Sequence, residues 1–463
     1  MTLAMMMTVL LVALLPFAGR SWDLYLSVAL LLATVLYSRP LWHAVWTQYT
    51  GIAPFRPRVD TYTVIVVVFG LCCLLLRRRL PRAAATFAPF LVFTTIAMVF
   101  LWPGESFQWA GWQSFVLGFV AVACGAHAGR AVTLDPDRAH AFLRVVTALV
   151  LVELLVSVLQ LAGYHLFPVD VHSAQFVVGR ANGTTDHPNT LGKFMQLLLI
   201  CALPQTRSPQ LRTRHLAALF VILALLTTVL TGGRAVTLGV VVTVTLWYAL
   251  FYRTQALSRR VTVPLAALAC SLPFLGSVVA RFKESGGSRT RLSEVATHFV
   301  IPDHLWLGVG PNSYLHYVSL HNLNFGSDLP VHDSFLLSLA ELGVPLFALL
   351  WGGVLLSLLL AWRRRSVEGL AGDGARALIA GVPGLLVIAL TGWGLIAGGV
   401  FVVFMFTIGF CLPERRDTGS MSSAGRRRPA ARTAAQPGRT PVPAFRVTSE
   451  PATPTPQRRE ASA

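Results

Sequence analysis

The sequence predicts an all-α fold, a polytopic integral membrane helix bundle of about 12–13 transmembrane helices with a long extracytoplasmic loop and a disordered C-terminal tail. Three observations carry that prediction. Hydrophobic residues make up 54% of the chain and charged residues 13%, about half the charged share of a soluble globular domain. Apolar runs of about 18–20 residues recur almost from end to end, each long enough to cross a bilayer as a helix. Beyond Leu412 the composition turns abruptly to Arg, Pro, Ala, Ser and Thr.

Taken in order, the spans fall at 2–19, 22–38, 61–76, 84–102, 112–130, 140–162, 189–204, 215–231, 234–252, 262–280, 333–361, 376–391 and 394–412. The first run lacks a basic flank and a small-x-small cleavage site, so it reads as a span rather than a signal peptide. Residues 1–176 form the N-terminal group of helices. Residues 177–412 form a second membrane region, which contains the loop 281–332. The tail 413–463 has too few large apolar residues to fold, and its basic runs either face lipid headgroups or simply hold the topology. The six cysteines all lie within apolar runs, without metal-site spacing, and read as packing residues.

The net charge is +18. In a soluble chain that would suggest nucleic acid, but here the charge sits in loops and tail, where topology explains it, and no nucleic-acid partner is expected. The stretches "RRRLPR" (77–82), "RSPQLRTR" (207–214), "YRTQALSRR" (252–260) and "WRRRS" (362–366) share one side if the spans alternate. That side is assigned to the cytoplasm. The Arg-containing loop at 39–60 falls on the other side.

Charges at a membrane edge are costly and become functional candidates by default. Four clusters fall on the outer side. In "VVGRANGTTDHPNTLGKF" (177–194), Asp186 and Asn189 can be read as helix-capping residues beside Pro188, whereas Arg180 has no capping role. "LTGGRAVTLG" (230–239) puts Arg234 on a tight turn, where a snorkelling side chain is the plain alternative. In "GGSRTRLSEVATHFVIPDHLWLGVGPNSY" (286–314), Arg289 and Arg291 open an amphipathic helix and a glycine turn follows. In "VHDSFLLSLAELGVP" (331–345), His332 and Asp333 stand at the mouth of a span, Glu341 lies inside it, and Gly343 lets another helix approach closely. Asp333 is also well placed for the positive end of that helix without any other role.

Together these residues put arginines and a histidine at one rim of a bundle. The planar fork of arginine suits diphosphate, and a histidine titrates where a hydroxyl proton must move. The combination suits group transfer from a lipid-linked diphosphate, with no metal required and no cofactor expected. A metal site from His298, His304, His316, His321 and His332 is the weaker reading, because their spacing is irregular and paired carboxylates are missing.

At this point the chain resembles the O-antigen ligase and polymerase superfamily. "GRANGTTDHPNTLGKF" is similar to its G-R-x-x-G-x-x-x-x-P-N-x-L segment, and "LTGGRAVTLGV" to its S-x-S-R-x-x-x-L segment. "SRTRLSEVATHFVIPDHLWLGVGPNSY" leading to "HDSFLLSLAELGVPLF" is similar to S-R-x-x-x-W, then G-x-G, closed by H-N-x-(F/Y)-L-x-x-L-x-E-x-G. Three departures are visible. Asp333 replaces the usual Asn and would raise the pKa of the adjacent imidazole, Ala296 or Thr297 stands near the usual Trp, and Gly233 replaces Ser.

The resemblance implies a metal-independent glycosyltransferase in the plasma membrane, working on its outer face. Its donor would be a polyprenyl-diphosphate-linked glycan, and its acceptor a glycan, lipid or protein. By motif match, His332 would activate the acceptor hydroxyl and Glu341 would fix the helix and that histidine. Arg180 and one of Arg289 or Arg291 would bind the diphosphate, with Arg234 in second rank. Ligase and polymerase differ in acceptor and remain open. The reading from another class is a transporter or flippase of the same lipid-linked glycan, which should show repeats and broken helices in corresponding positions.

Overall fold

The computed structural model describes residues 22–36, 80–164, 179–185, 187–251, 265, 286–323, 330–396 and 398–413. Among these the regular structure is all helical, without strands. The spans expected at 2–19 and 61–76, nearly all of that at 262–280, and the tail beyond 413 lie outside the described residues. The other ten expected spans coincide with observed helices. These are α1 (Trp22–Leu36), α2 (Ala88–Phe100, after the short turn Arg82–Ala85), α3 (Ser106–Leu134), α4 (Pro136–Leu161), α5 (Pro188–Ala202), α6 (Leu211–Leu230) and α7 (Arg234–Leu246). After the loop helices α8 (Gly286–Val295) and α9 (Tyr314–Leu320) come α10 (Ser334–Arg364), α11 (Leu370–Thr391) and α12 (Gly398–Cys411). Six described helices are long and apolar enough to cross a membrane, and Ala88–Phe100 and Gly398–Cys411 are shorter apolar helices.

Helix α12 is buried along nearly its whole length, from Gly399 to Cys411, so it is an axis of the bundle rather than a lipid-facing wall. Its closest partner is α3, and glycine sets the approach. A Cβ at Gly125 would stand 2.1 Å from the Phe406 carbonyl oxygen, one at Gly129 2.1 Å from that of Phe410, and one at Gly409 2.0 Å from that of Val122. Lipid tails are as apolar as leucine, so this kind of dense small-residue contact, rather than hydrophobic burial, holds membrane helices together. The same device joins α7 to α11, where a Cβ at Gly384 would lie 2.5 Å from the Gly239 carbonyl oxygen.

Described parts of two of the basic loops, at Arg207 and at Arg364–Arg365, meet around the start of α11. Arg207 and Arg376 share the carboxylate of Asp373 at 2.7 and 2.5 Å, and Arg376 also donates to the Arg365 carbonyl at 2.7 Å. Arg207 reaches the Phe251 carbonyl at 3.2 Å and Arg364 the Pro413 carbonyl at 2.7 Å. The candidate site lies at the opposite end.

That end is shaped by a break in α10. Gly343 is left-handed (φ 67°) and ends the first part of the helix, and Pro345 starts the second. The sequence predicted that Gly343 admits a neighbouring helix, but what enters is a loop. A Cβ there would lie 2.5 Å from the Trp306 carbonyl. The break strands the carbonyls of Ala340 and Glu341, since Pro345 has no N–H and that of Val344 turns away. Val309 and Gly310 donate to them at 3.0 and 2.9 Å, and Val344 donates to the Leu305 carbonyl at 2.8 Å. The other flank of the loop is fastened to the α2–α3 corner. Trp102 Nε1 donates to the Leu307 carbonyl at 3.1 Å, Gln108 Nε2 to that of Val309 at 3.3 Å, and Asn312 Nδ2 to that of Phe107 at 3.2 Å. Val295, Ala296, Val300, Tyr314, Leu315 and Val318 then form a small core that seals onto Leu337 and Ala340 of α10.

Gly125→Val should lower the thermal midpoint of the detergent-solubilised protein by an amount equivalent to about 1–3 kcal/mol, since the valine cannot fit without forcing α3 and α12 apart. Gly352→Ala, where nothing lies within 4 Å of the added Cβ, should leave it unchanged. Equal midpoints for the two variants would remove the glycine contact as the organising seam.

Candidate functional site

Pro188 occupies the first turn of α5, which makes His187 the cap. Its Nδ1 accepts from the Asn189 amide at 3.0 Å, so a neutral His187 carries its proton on Nε2. Sequence alone favoured Asp186 as the capping residue; Asp186 lies outside the described residues, and the cap is His187. Burial first, then the positive fields of Arg180, Lys193 and His332, push the His187 imidazole down to about 3. Arg180, Lys193 and His332 therefore all lie within electrostatic reach of His187, although His332 comes from a separate, distant stretch of sequence.

Arg180 is held by the end of α6. Its Nε donates to the Thr231 carbonyl at 2.8 Å and its Nη2 to Asn189 Oδ1 at 2.7 Å, while the Ala181 amide donates to the Leu230 carbonyl at 3.0 Å. A guanidinium at a helix C-terminus is electrostatically favoured and satisfies a carbonyl that the helix leaves open. Gly232 is left-handed (φ 59°) and lies against the Arg180 side chain, with a Cβ there 3.3 Å from Cγ. Arg234 follows on the same turn as the first residue of α7, half-buried.

The chain between Arg180 and α5 is pinned to α4 by two buried polar side chains. Glu153 accepts from the Thr184 amide at 2.9 Å and its hydroxyl at 2.6 Å. Gln160 Oε1 accepts from the amides of Asn182 and Gly183 at 3.1 and 2.9 Å, and its Nε2 donates to the Gly183 carbonyl at 2.8 Å. These contacts turn a polar loop into a fixed wall of the site.

His332 enters from the start of α10 and is half-buried. Asp333 caps that helix, accepting from the amides of Phe335 and Leu336 at 2.7 and 3.0 Å, so its carboxylate is committed to the backbone. Ser334 Oγ donates to the Gly392 carbonyl at 2.6 Å, which ties His332 to the turn after α11. Lys193, one and a half turns into α5, extends to that same turn.

The expected site residues therefore separate. Arg180 and His332 each act on His187, and Arg234 stands on the Thr231–Gly233 turn that Arg180 grips. Glu341 does something else. It is buried and accepts from the Tyr314 amide at 3.3 Å, with the amides of Asn312 and Ser313 also directed at it, so it caps the first turn of α9 and anchors the loop. Arg291 is exposed on α8, and the side chain of Arg289 lies outside the described residues. Three of the loop histidines are occupied in ring contacts. His304 meets Tyr317 edge-on at 4.7 Å between centroids, His321 lies tilted against it at 4.1 Å, and His316 lies 4.7 Å from Phe107. Among the described residues no cluster of three or more His, Cys, Asp or Glu could hold a metal ion.

Residues 219–351 match the family described as O-antigen ligase. Over that stretch the chain is similar to the O-antigen ligase family, in line with the resemblance read from the motifs. No curated protein matches the chain. The matched stretch contains Arg234, the clamped loop and His332, whereas Arg180, His187 and Lys193 come from upstream.

His187 gives this end of the bundle a signed pH dependence. The folded state holds the ring neutral down to about pH 3, whereas an unfolded histidine takes up its proton near pH 6.5, so acid favours unfolding between those values. The apparent melting temperature should fall as pH is lowered from 6.5 toward 4, and His187→Asn, which keeps a capping oxygen without the titration, should flatten that limb. An identical slope in the variant would exclude His187 as its source.

Proposed function

We propose that this chain, similar to the O-antigen ligase family over residues 219–351, is a glycosyltransferase that transfers or polymerises a polyprenyl-diphosphate-linked glycan on the extracytoplasmic face of the plasma membrane. The observation that supports this reading most is that Arg180 and His332, from distant parts of the sequence, are both within electrostatic reach of His187. A fixed guanidinium recognises phosphate oxygens, and an imidazole at the water-facing mouth of a helix accepts a proton.

In the reaction, His332 takes the proton of the acceptor hydroxyl as its oxygen bonds to the anomeric carbon. The bond from that carbon to the diphosphate oxygen breaks, and polyprenyl diphosphate leaves with the electron pair. Arg180, with Arg234 beside it, stabilises the charge that develops on the leaving group. A single displacement of this kind inverts the sugar carbon. Glu341 contributes by holding the loop rather than by touching substrate, and Asp333 by capping the helix that presents His332. The acceptor is a glycan, a lipid or a protein. The basic end opposite the site faces the cytoplasm.

Purified protein in lipid, given a polyprenyl-diphosphate-linked sugar donor and an acceptor, should release polyprenyl diphosphate, and the release should persist in chelator. His332→Ala should reduce turnover about 10²–10⁴-fold, the usual loss for a general base, and Arg180→Ala should weaken donor use. Donor that binds but is never cleaved, with both variants altering binding alone, would make the protein a carrier and remove the catalytic roles.

A further inference from the structure

We infer that Lys193 is a phosphate-binding residue of this site, a point charge that meets the donor diphosphate alongside Arg180; the inference rests on the transferase reading above. The chain has two lysines, Lys193 and Lys283, among its 38 basic residues. Lys193 is the one within a described helix, embedded in the apolar run of α5 among the buried residues Leu191, Gly192 and Phe194. An ammonium there is costly unless something compensates it.

Among the described residues, Lys193 has neither a hydrogen bond nor an ion pair, only the mutual field with His187. The described carboxylates around the site are already engaged. Glu153 is held by Thr184, Asp333 by the first turn of α10, and Glu341 by the first turn of α9. A phosphate oxygen of a bound ligand would supply the compensating charge.

The lysine is also seated, not merely present. Helical side chains lean toward the N-terminus, which carries the Lys193 amine back toward the His187 end of α5 and under the turn after α11. There a Cβ at Gly394 would lie 2.2 Å from Nζ, and one at Gly392 3.7 Å from it. Two glycines thus leave the room that the amine fills. A lysine that snorkelled to lipid headgroups would sit on an outward face, whereas this one is enclosed by a turn whose Gly392 carbonyl is bound by Ser334, two residues from His332. The slot fits a compact ammonium with rotatable donors better than a planar guanidinium, which accounts for a lysine in a chain otherwise furnished with arginine.

The test is direct binding of polyprenyl diphosphate, and of uncharged polyprenol as the control, to the full-length protein in lipid, with the melting temperature recorded alongside. Lys193→Met should weaken diphosphate binding about 10–100-fold, the range for losing a hydrogen bond to a charged group. It should leave polyprenol binding unchanged and the melting temperature equal or higher, because an uncompensated charge has been removed. Gly394→Ala, which displaces the amine while keeping it, should weaken diphosphate binding in the same direction. Wild-type affinity in both variants, or a Lys193→Met melting temperature that falls along with affinity for both ligands, would make the lysine structural and overturn the inference. Should the wild type bind no polyprenyl diphosphate, the transferase reading itself would fall, and this inference with it.

Discussion

The site depends on how α10 resolves its break at Gly343. In a low-dielectric interior an unsatisfied backbone group costs several kcal/mol, so a helix can be interrupted there only where other backbone supplies the missing partners. The loop at 305–310 does so with three hydrogen bonds, two received by Ala340 and Glu341 and one given by Val344. The position of the loop is thereby fixed against α10, and the α2–α3 corner fixes its other side. Glu341 adds its carboxylate to the amides that open α9. A glycine and a proline two residues apart thus determine where the described loop from 305 to 310 lies against α10.

Charge is handled differently at the two ends. At the basic-loop end, Asp373 is shared by Arg207 and Arg376, and carbonyls at the helix ends take up further guanidinium donors. There each of these guanidinium groups has a protein acceptor, although positive charge exceeds negative. At the site end the carboxylates are drawn toward backbone amides, and the cations are gathered within reach of His187. Two ends with similar residue types therefore have opposite appetites, one closed on itself and one disposed toward an anion. Arg180 shows how such a cation is kept in place, since it is gripped by the end of α6 and by Asn189.

The spans were legible because hydropathy over about twenty residues is a strong signal, and ten of them fall where the sequence predicted. Arg180 and His332 were legible because charge at a membrane edge is expensive and demands a reason. The work of Glu341 was not, since capping α9 depends on a loop returning from 27 residues upstream. Nor could Gly343 reveal that it receives a loop and not a helix, for the same residue serves both. The cap at His187 could have been read from Pro188 alone, which places the N-cap one residue earlier. Lys193 carried a signal too, its rarity, but it was hidden inside a motif whose arginine drew the attention.

That rarity has a practical side. Arginine side chains do not react with amine-directed reagents, and thirty-six of the 38 basic residues are arginines. The amine beneath the Gly392–Gly394 turn is one of two lysine amines in the sequence, so an isotope placed on lysine marks two side chains, one of them at this turn. The composition that spreads positive charge over the whole chain leaves its centre chemically addressable.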